Sequence, residues 1–111
     1  MIDHEQAKEV AAAASAEFNA VVTNVTTVAA EAARLTAHEA LRIYEIKTWS
    51  AQRAGIDVHG VEQTLQRLAE RSGDEPLLLF LFQDAARIYF VFISGADESF
   101  ISCMSVPRRF A

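Results

Sequence analysis

Three histidines and one cysteine are the side chains of this 111-residue chain best suited to metal or nucleophilic chemistry at neutral pH. His4, His38 and His59 are spread along the sequence, and Arg42 stands one helical turn beyond His38, where a second ligand would be needed. That spacing predicts no local metal pair. His38 and Glu39 could exchange protons inside a cleft, yet Thr36-Ala37-His38-Glu39 also has the spacing of a capping box, which predicts an exposed helix start. Cys103 lies between Ser102 and Met104 with no adjacent base to favour a thiolate, so it reads as a small buried apolar residue. The chain contains no phosphate-cradling glycine loop, no G-x-G-x-x-G, no C-x-x-C, no H-E-x-x-H and no G-x-S-x-G. The expectation is a non-enzymatic protein with no metal and no cofactor.

The elements that would position these residues follow from composition. Alanine supplies 15 of the first 54 residues, and the first glycine is Gly55, so this half is built for helix. Asp3 and Gln6 form a candidate N-cap pair. Val10, Ala14, Phe18, Val21, Val25, Val28, Ala32 and Leu35 then recur in alternating steps of four and three, which predicts an amphipathic stripe. Seven of the eight residues at 21–28 are β-branched and resist helix, but the stripe crosses them unbroken. The pattern predicts a long N-terminal helical segment over 1–54, bent or restarted near Thr36. Asp57 opens a second helix over 57–73, with Val58, Val61, Leu65 and Leu68 on its apolar face.

After Pro76, aromatic and β-branched residues replace alanine, and three apolar runs at 77–82, 88–93 and 100–106 are separated by short polar loops. These predict a three-stranded antiparallel meander within 77–106. The first two runs lack polar alternation, so both faces of those strands require cover. The fold class is therefore α+β, one domain over 1–111, with the helices packed on the meander.

Net charge is −5, and no segment is basic enough to neutralise several phosphates, so no nucleic-acid partner is expected. No run of 18 apolar residues exists, which predicts no membrane span. A lone cysteine and an N-terminus unlike a signal peptide fit a cytoplasmic protein.

An unbent helix over 4–54 would be about 75 Å long, and one layer of short helices covers only one sheet face. The apolar supply therefore points to a protein partner, most simply a homodimer. Phe18, Val21, Val25, Val28 and Leu35 on the stripe, with Tyr44, Trp49 and Arg53 as an aromatic and cationic cluster, are the candidate interaction residues. The function expected is a protein-protein interaction module such as a small inhibitor, immunity protein, adaptor or chaperone-like protein. Two alternatives are a ligand sensor or small enzyme, its aromatic pocket lined by Phe80, Phe90, Phe92 and Tyr44, and a structural homomer coating an apolar surface.

Overall fold

A computed structural model describes residues 2–40, 42, 59–72 and 74–108. The elements are α1 (His4–Ala14), α2 (Ala16–Val21), β1 (Thr26–Thr27), β2 (Ala33–Thr36), a helical stretch at 37–40, α3 (His59–Ser72), β3 (Pro76–Gln83), β4 (Arg87–Ser94) and β5 (Phe100–Pro107). The α+β class and the C-terminal meander are as expected, but the sheet has five strands where three were expected. The two additional strands come from the segment read as helix.

The long stripe breaks twice, for local reasons. Ser15 leaves helical geometry, donates its N–H to the Ala11 carbonyl and accepts the Phe18 N–H on Oγ at 3.2 Å, so it closes α1 and caps α2. Helix α2 stops at Val21, where the β-branched run begins, and the backbone turns at 22–24 before β1. Here β-branched stiffness wins over helical periodicity, because β3 offers a ladder to residues that fit poorly in a helix. Two other local readings hold. Asp3 and Gln6 make a reciprocal capping box at the start of α1. Thr36 and Glu39 make another, with both hydrogen bonds at 3.1 Å, and the chain turns from β2 into helix there.

Strand β3 is the axis of the sheet. It pairs antiparallel with β4 along one edge, while β1 and β2 share the other edge in tandem, β1 beside Phe82 and Gln83 and β2 beside residues 76–79. Residues 29–32 loop away from the ladder between them. Strand β5 adds outside β4 and has no other strand neighbour among the described residues.

The sheet is apolar on both faces, which explains the missing polar alternation. Leu78, Phe80, Phe82, Tyr89, Val91 and Ile93 form one core under α1 and α2, together with Ala7, Ala11, Phe18 and Val25. Leu77, Phe92 and Met104 form the other, with Leu35 and with Ala37, Ala40, Leu68 and Ala69 from the helices. The chain thus covers both faces itself. Among the described residues Val28, at 43% exposure, is the one large apolar side chain left open.

Chain reversal from β4 to β5 requires a glycine at Gly95. A β-carbon there would stand 2.7 Å from the Pro76 carbonyl oxygen, which instead accepts the Gly95 N–H at 2.9 Å.

Phe18 and Val28 belong to one sequence stripe but to opposite environments, which makes them a direct check on the fold. Phe18→Ala is expected to destabilise by about 3–5 kcal/mol, as a fully buried aromatic does. Val28→Ala should stay within about 0.5 kcal/mol, as an exposed position does. Urea titration of the two variants measures the difference, and equal costs would contradict this packing.

Candidate functional site

The outer edge of β5 is the feature of the described structure that is chemically unfinished. Its eight residues, Phe-Ile-Ser-Cys-Met-Ser-Val-Pro, carry no charge. Edge strands that must avoid association usually carry a charge, a proline or a bulge in the exposed stretch. In β5 the bulge sits at the start, where the register with β4 shifts between Phe92 and Ile93, and Pro107 sits at the end. Residues 102–106 between them are a regular strand. The opposite side of the sheet is closed by strands of two and four residues, the longer carrying Arg34.

Ladder phase identifies which backbone groups of β5 face away from β4. Arg108 donates its N–H to the Ala86 carbonyl at 2.9 Å, and β4 and β5 pair as Arg87 with Pro107 and Ile88 with Val106. In an antiparallel ladder hydrogen-bonded residues alternate. Ser102, Met104 and Val106 therefore exchange hydrogen bonds with β4, while Cys103 and Ser105 turn their N–H and C=O groups outward. The row ends at Pro107, which has no N–H.

A polar network fixes the Arg108 end of this edge. Asp84 begins the β3–β4 turn, and its Oδ1 accepts the N–H groups of Ala86 and Arg87 at 2.8 and 2.9 Å. Its other oxygen accepts the Tyr89 hydroxyl at 2.8 Å. Arg87 reaches across to β5, giving Nε–H to Ser105 Oγ at 2.8 Å and Nη2–H to the Ser105 carbonyl at 3.2 Å. Ser105 Oγ in turn donates to Glu17 on α2 at 3.1 Å. Arg108 adds a bond to the Asp84 carbonyl at 3.2 Å. The turn, two strands and α2 are thereby tied together around Ser105.

The network also sets protonation. Hydrogen bonds from the Ala86 N–H, the Tyr89 hydroxyl and the Arg87 N–H hold the Asp84 carboxyl below its usual range. Burial, then the hydrogen bond to Asp84 and its charge, push the Tyr89 phenol up to about 12. Burial, and secondarily the charge of Glu17, push the Cys103 thiol up to about 12 as well. Both groups are held neutral at physiological pH. Cys103 is half-buried, where a buried residue was expected, and its raised pKa leaves it poorly suited to act as a nucleophile.

The residues singled out from sequence are dispersed. Phe18 is fully enclosed against the rings of Phe82 and Tyr89, at centroid distances of 5.6 and 5.9 Å. Val25 and Leu35 are buried in the two separate cores, Val21 packs at the margin of the first, and Val28 is exposed. No single stripe brings them together. Tyr44, Trp49 and Arg53 lie outside the described residues. Phe80 lies on one face of the sheet and Phe90 and Phe92 on the other, so these three rings line no common pocket.

His38 Nδ1 stands 3.7 Å from Asp74 in an exposed pair, while the side chain of His59 is not described. His4 sets its ring edge-on to Phe80 and Phe82, at 5.0 and 5.9 Å. Its Nε2 is enclosed without a hydrogen-bond partner among the described residues. No group of three or more His, Cys, Asp or Glu among the described residues could hold a metal. An open cleft of about 450 Å³ runs between α1 and the turn after α2, with Glu5, Lys8 and Glu9 on its rim and Val22 and Val25 in its wall.

Sequence reasoning missed the edge and its network for different reasons. Asp84 at the head of a short loop is a local turn signal. The contact between Glu17 and Ser105 spans 88 residues and leaves no local trace. No described helix is long and apolar enough to cross a membrane. Comparison with protein families, curated proteins and solved structures finds no match to this chain.

The two raised pKa values predict an alkaline weakness. Unfolded thiol and phenol ionise near their ordinary 9.0 and 10.0, whereas the folded groups hold their protons to about 12. The stability they contribute is complete below those ordinary values and is lost as pH climbs toward 12. Thermal melts from neutral pH upward should show this decline. Tyr89→Phe should remove the phenol's share and Cys103→Ala the thiol's. A decline unchanged in the double variant would contradict the assignment.

Proposed function

We propose that this chain is a non-enzymatic protein-interaction module that acts as a homodimer. The observation that carries the reading is the uncharged outer strand β5, regular over 102–106 and without a second strand neighbour among the described residues. An extended backbone edge is completed by another extended backbone, so its natural ligand is protein. The mechanism is strand pairing across β5, with charged groups at the two ends of the strand setting orientation.

Two further facts support a binding role over catalysis. The polar groups around Ser105 satisfy one another, and Cys103 and Tyr89 are held in their neutral forms. Aromatic rings that could have built a ligand pocket are divided between two cores. A single thiol kept protonated suits a reducing compartment, and we place the protein in the cytoplasm on that ground.

Light scattering after size exclusion, over a wide range of concentration, is the test, with native mass spectrometry on the same sample. The expected species is a ligand-free dimer of twice the 12.2 kDa chain mass, persisting on dilution. A monomer that retains a small molecule would overturn the proposal in favour of a ligand sensor, and a ligand-free monomer at every concentration would overturn the homodimer.

A further inference from the structure

On the reading that the chain binds protein, we infer that the cleft between α1 and the turn after α2 receives a lysine or arginine side chain from a basic segment of another protein. Charge is the first ground. Residues 1–32, which hold α1, α2 and β1, carry five acids, Asp3, Glu5, Glu9, Glu17 and Glu31, against the single base Lys8. The rest of the chain carries ten acids and nine bases, so four of the five net negative charges come from this first part. All five carboxylates are exposed, and α1 and α2 lie together on one face of the sheet. A field of one sign gathered on one side draws a partner of the opposite sign. A second copy brings the same acidic layer and is repelled by it, which leaves a basic segment of a different protein as the occupant.

The cleft gives that charge a place to act. Glu5, Lys8, Glu9 and Ala12 recur at helical spacing along one face of α1, opposite Val22 and Val25, around an open volume of about 450 Å³. Lys8 does not cancel both glutamates. Its Nζ stands 3.3 Å from Glu5 and 5.7 Å from the centre of the Phe82 ring, with 18% of its side chain exposed, so its charge is already engaged. Glu9 makes no ion pair or hydrogen bond among the described residues. The lining thus joins an open carboxylate on the rim to apolar walls from Ala12, Val22 and Val25. A lysine or arginine side chain has the matching form, an apolar stem ending in a cation. Val25 leads directly into β1, at the opposite edge of the sheet from β5, so the two surfaces can be tested apart.

Peptide titration of the isotope-labelled full chain tests this. Three capped peptides, acetyl-Ala-Leu-X-Leu-Ala-amide, differ only in X, which is lysine, its neutral counterpart norleucine, or glutamate. The backbone amides of Glu9, Ala12 and Val25 are followed by NMR, and light scattering gives the mass of the same sample. The lysine peptide is expected to shift those amides to saturation, at least about tenfold more tightly than the norleucine peptide, with the glutamate peptide weakest. Glu9→Gln, at an exposed position, should keep the amide spectrum of the folded chain and bring the lysine preference below about threefold. Equal binding of the lysine and norleucine peptides would overturn recognition of charge, and a preference for glutamate would overturn its sign. Unmoved amides with all three peptides would overturn the cleft, and full lysine preference in Glu9→Gln would overturn Glu9 as the partner. A dimer that ignores the peptides overturns this inference alone, whereas a monomer that takes the lysine peptide upholds it and overturns only the homodimer.

Discussion

Strand β3 has apolar side chains on both faces and backbone groups on both edges, and every other described element except β5, which pairs with β4, is placed by meeting one of those needs. Burying one face only would leave Leu77 or Phe80 in water, at about 1.5–3 kcal/mol for each large side chain. Helices α1 and α2 cover one face. The stretch at 37–40 and α3 cover the other through Ala37, Ala40, Leu68 and Ala69. Strand β4 takes one edge, and β1 with β2 takes the other. The use of 26–36 as strand, against the helical period of that segment, follows from the same demand. An unpaired edge on β3 would leave backbone groups without partners inside the protein, which is costly.

Local signals were readable wherever a few neighbouring residues decide the outcome. Both capping boxes, the glycine-bounded turn after β4 and the three apolar runs after Pro76 formed as their chemistry implied. The stripe from Val10 to Leu35 misled because Ser15 can bond to the backbone in place of the helix ladder, and because the β-branched valines of 21–28 fit the apolar period while their backbone preference is against helix. Partner strands are a non-local choice. Nothing near Thr26 announces that Gln83 will lie beside it.

The proposed partner rests on a different physical basis from the one the sequence suggested. Sequence pointed to apolar surface beyond what one chain could hide, and the described structure hides nearly all of it, leaving Val28. What lacks a strand neighbour among the described residues is the outer edge of β5. An edge strand attracts by direction and register, so the residues that matter are those that straighten β5 and those at its ends. Ser105 is central to the first, because Arg87 and Glu17 hold it from two elements. Glu98 stands beyond one end of the strand and Arg108 beyond the other. None of these was among the apolar stripe residues, since none is apolar.

Amide hydrogen exchange along β5, followed residue by residue by NMR at high and low protein concentration, tests the central claim most directly. The N–H groups of Ser102, Met104 and Val106 point to β4 and should be protected at both concentrations. Those of Cys103 and Ser105 should be protected where the chain is dimeric and exchange rapidly once it is diluted to monomer. Rapid exchange at Cys103 and Ser105 in a solution of dimers would contradict the claim, because the outer edge of β5 would then remain open to water.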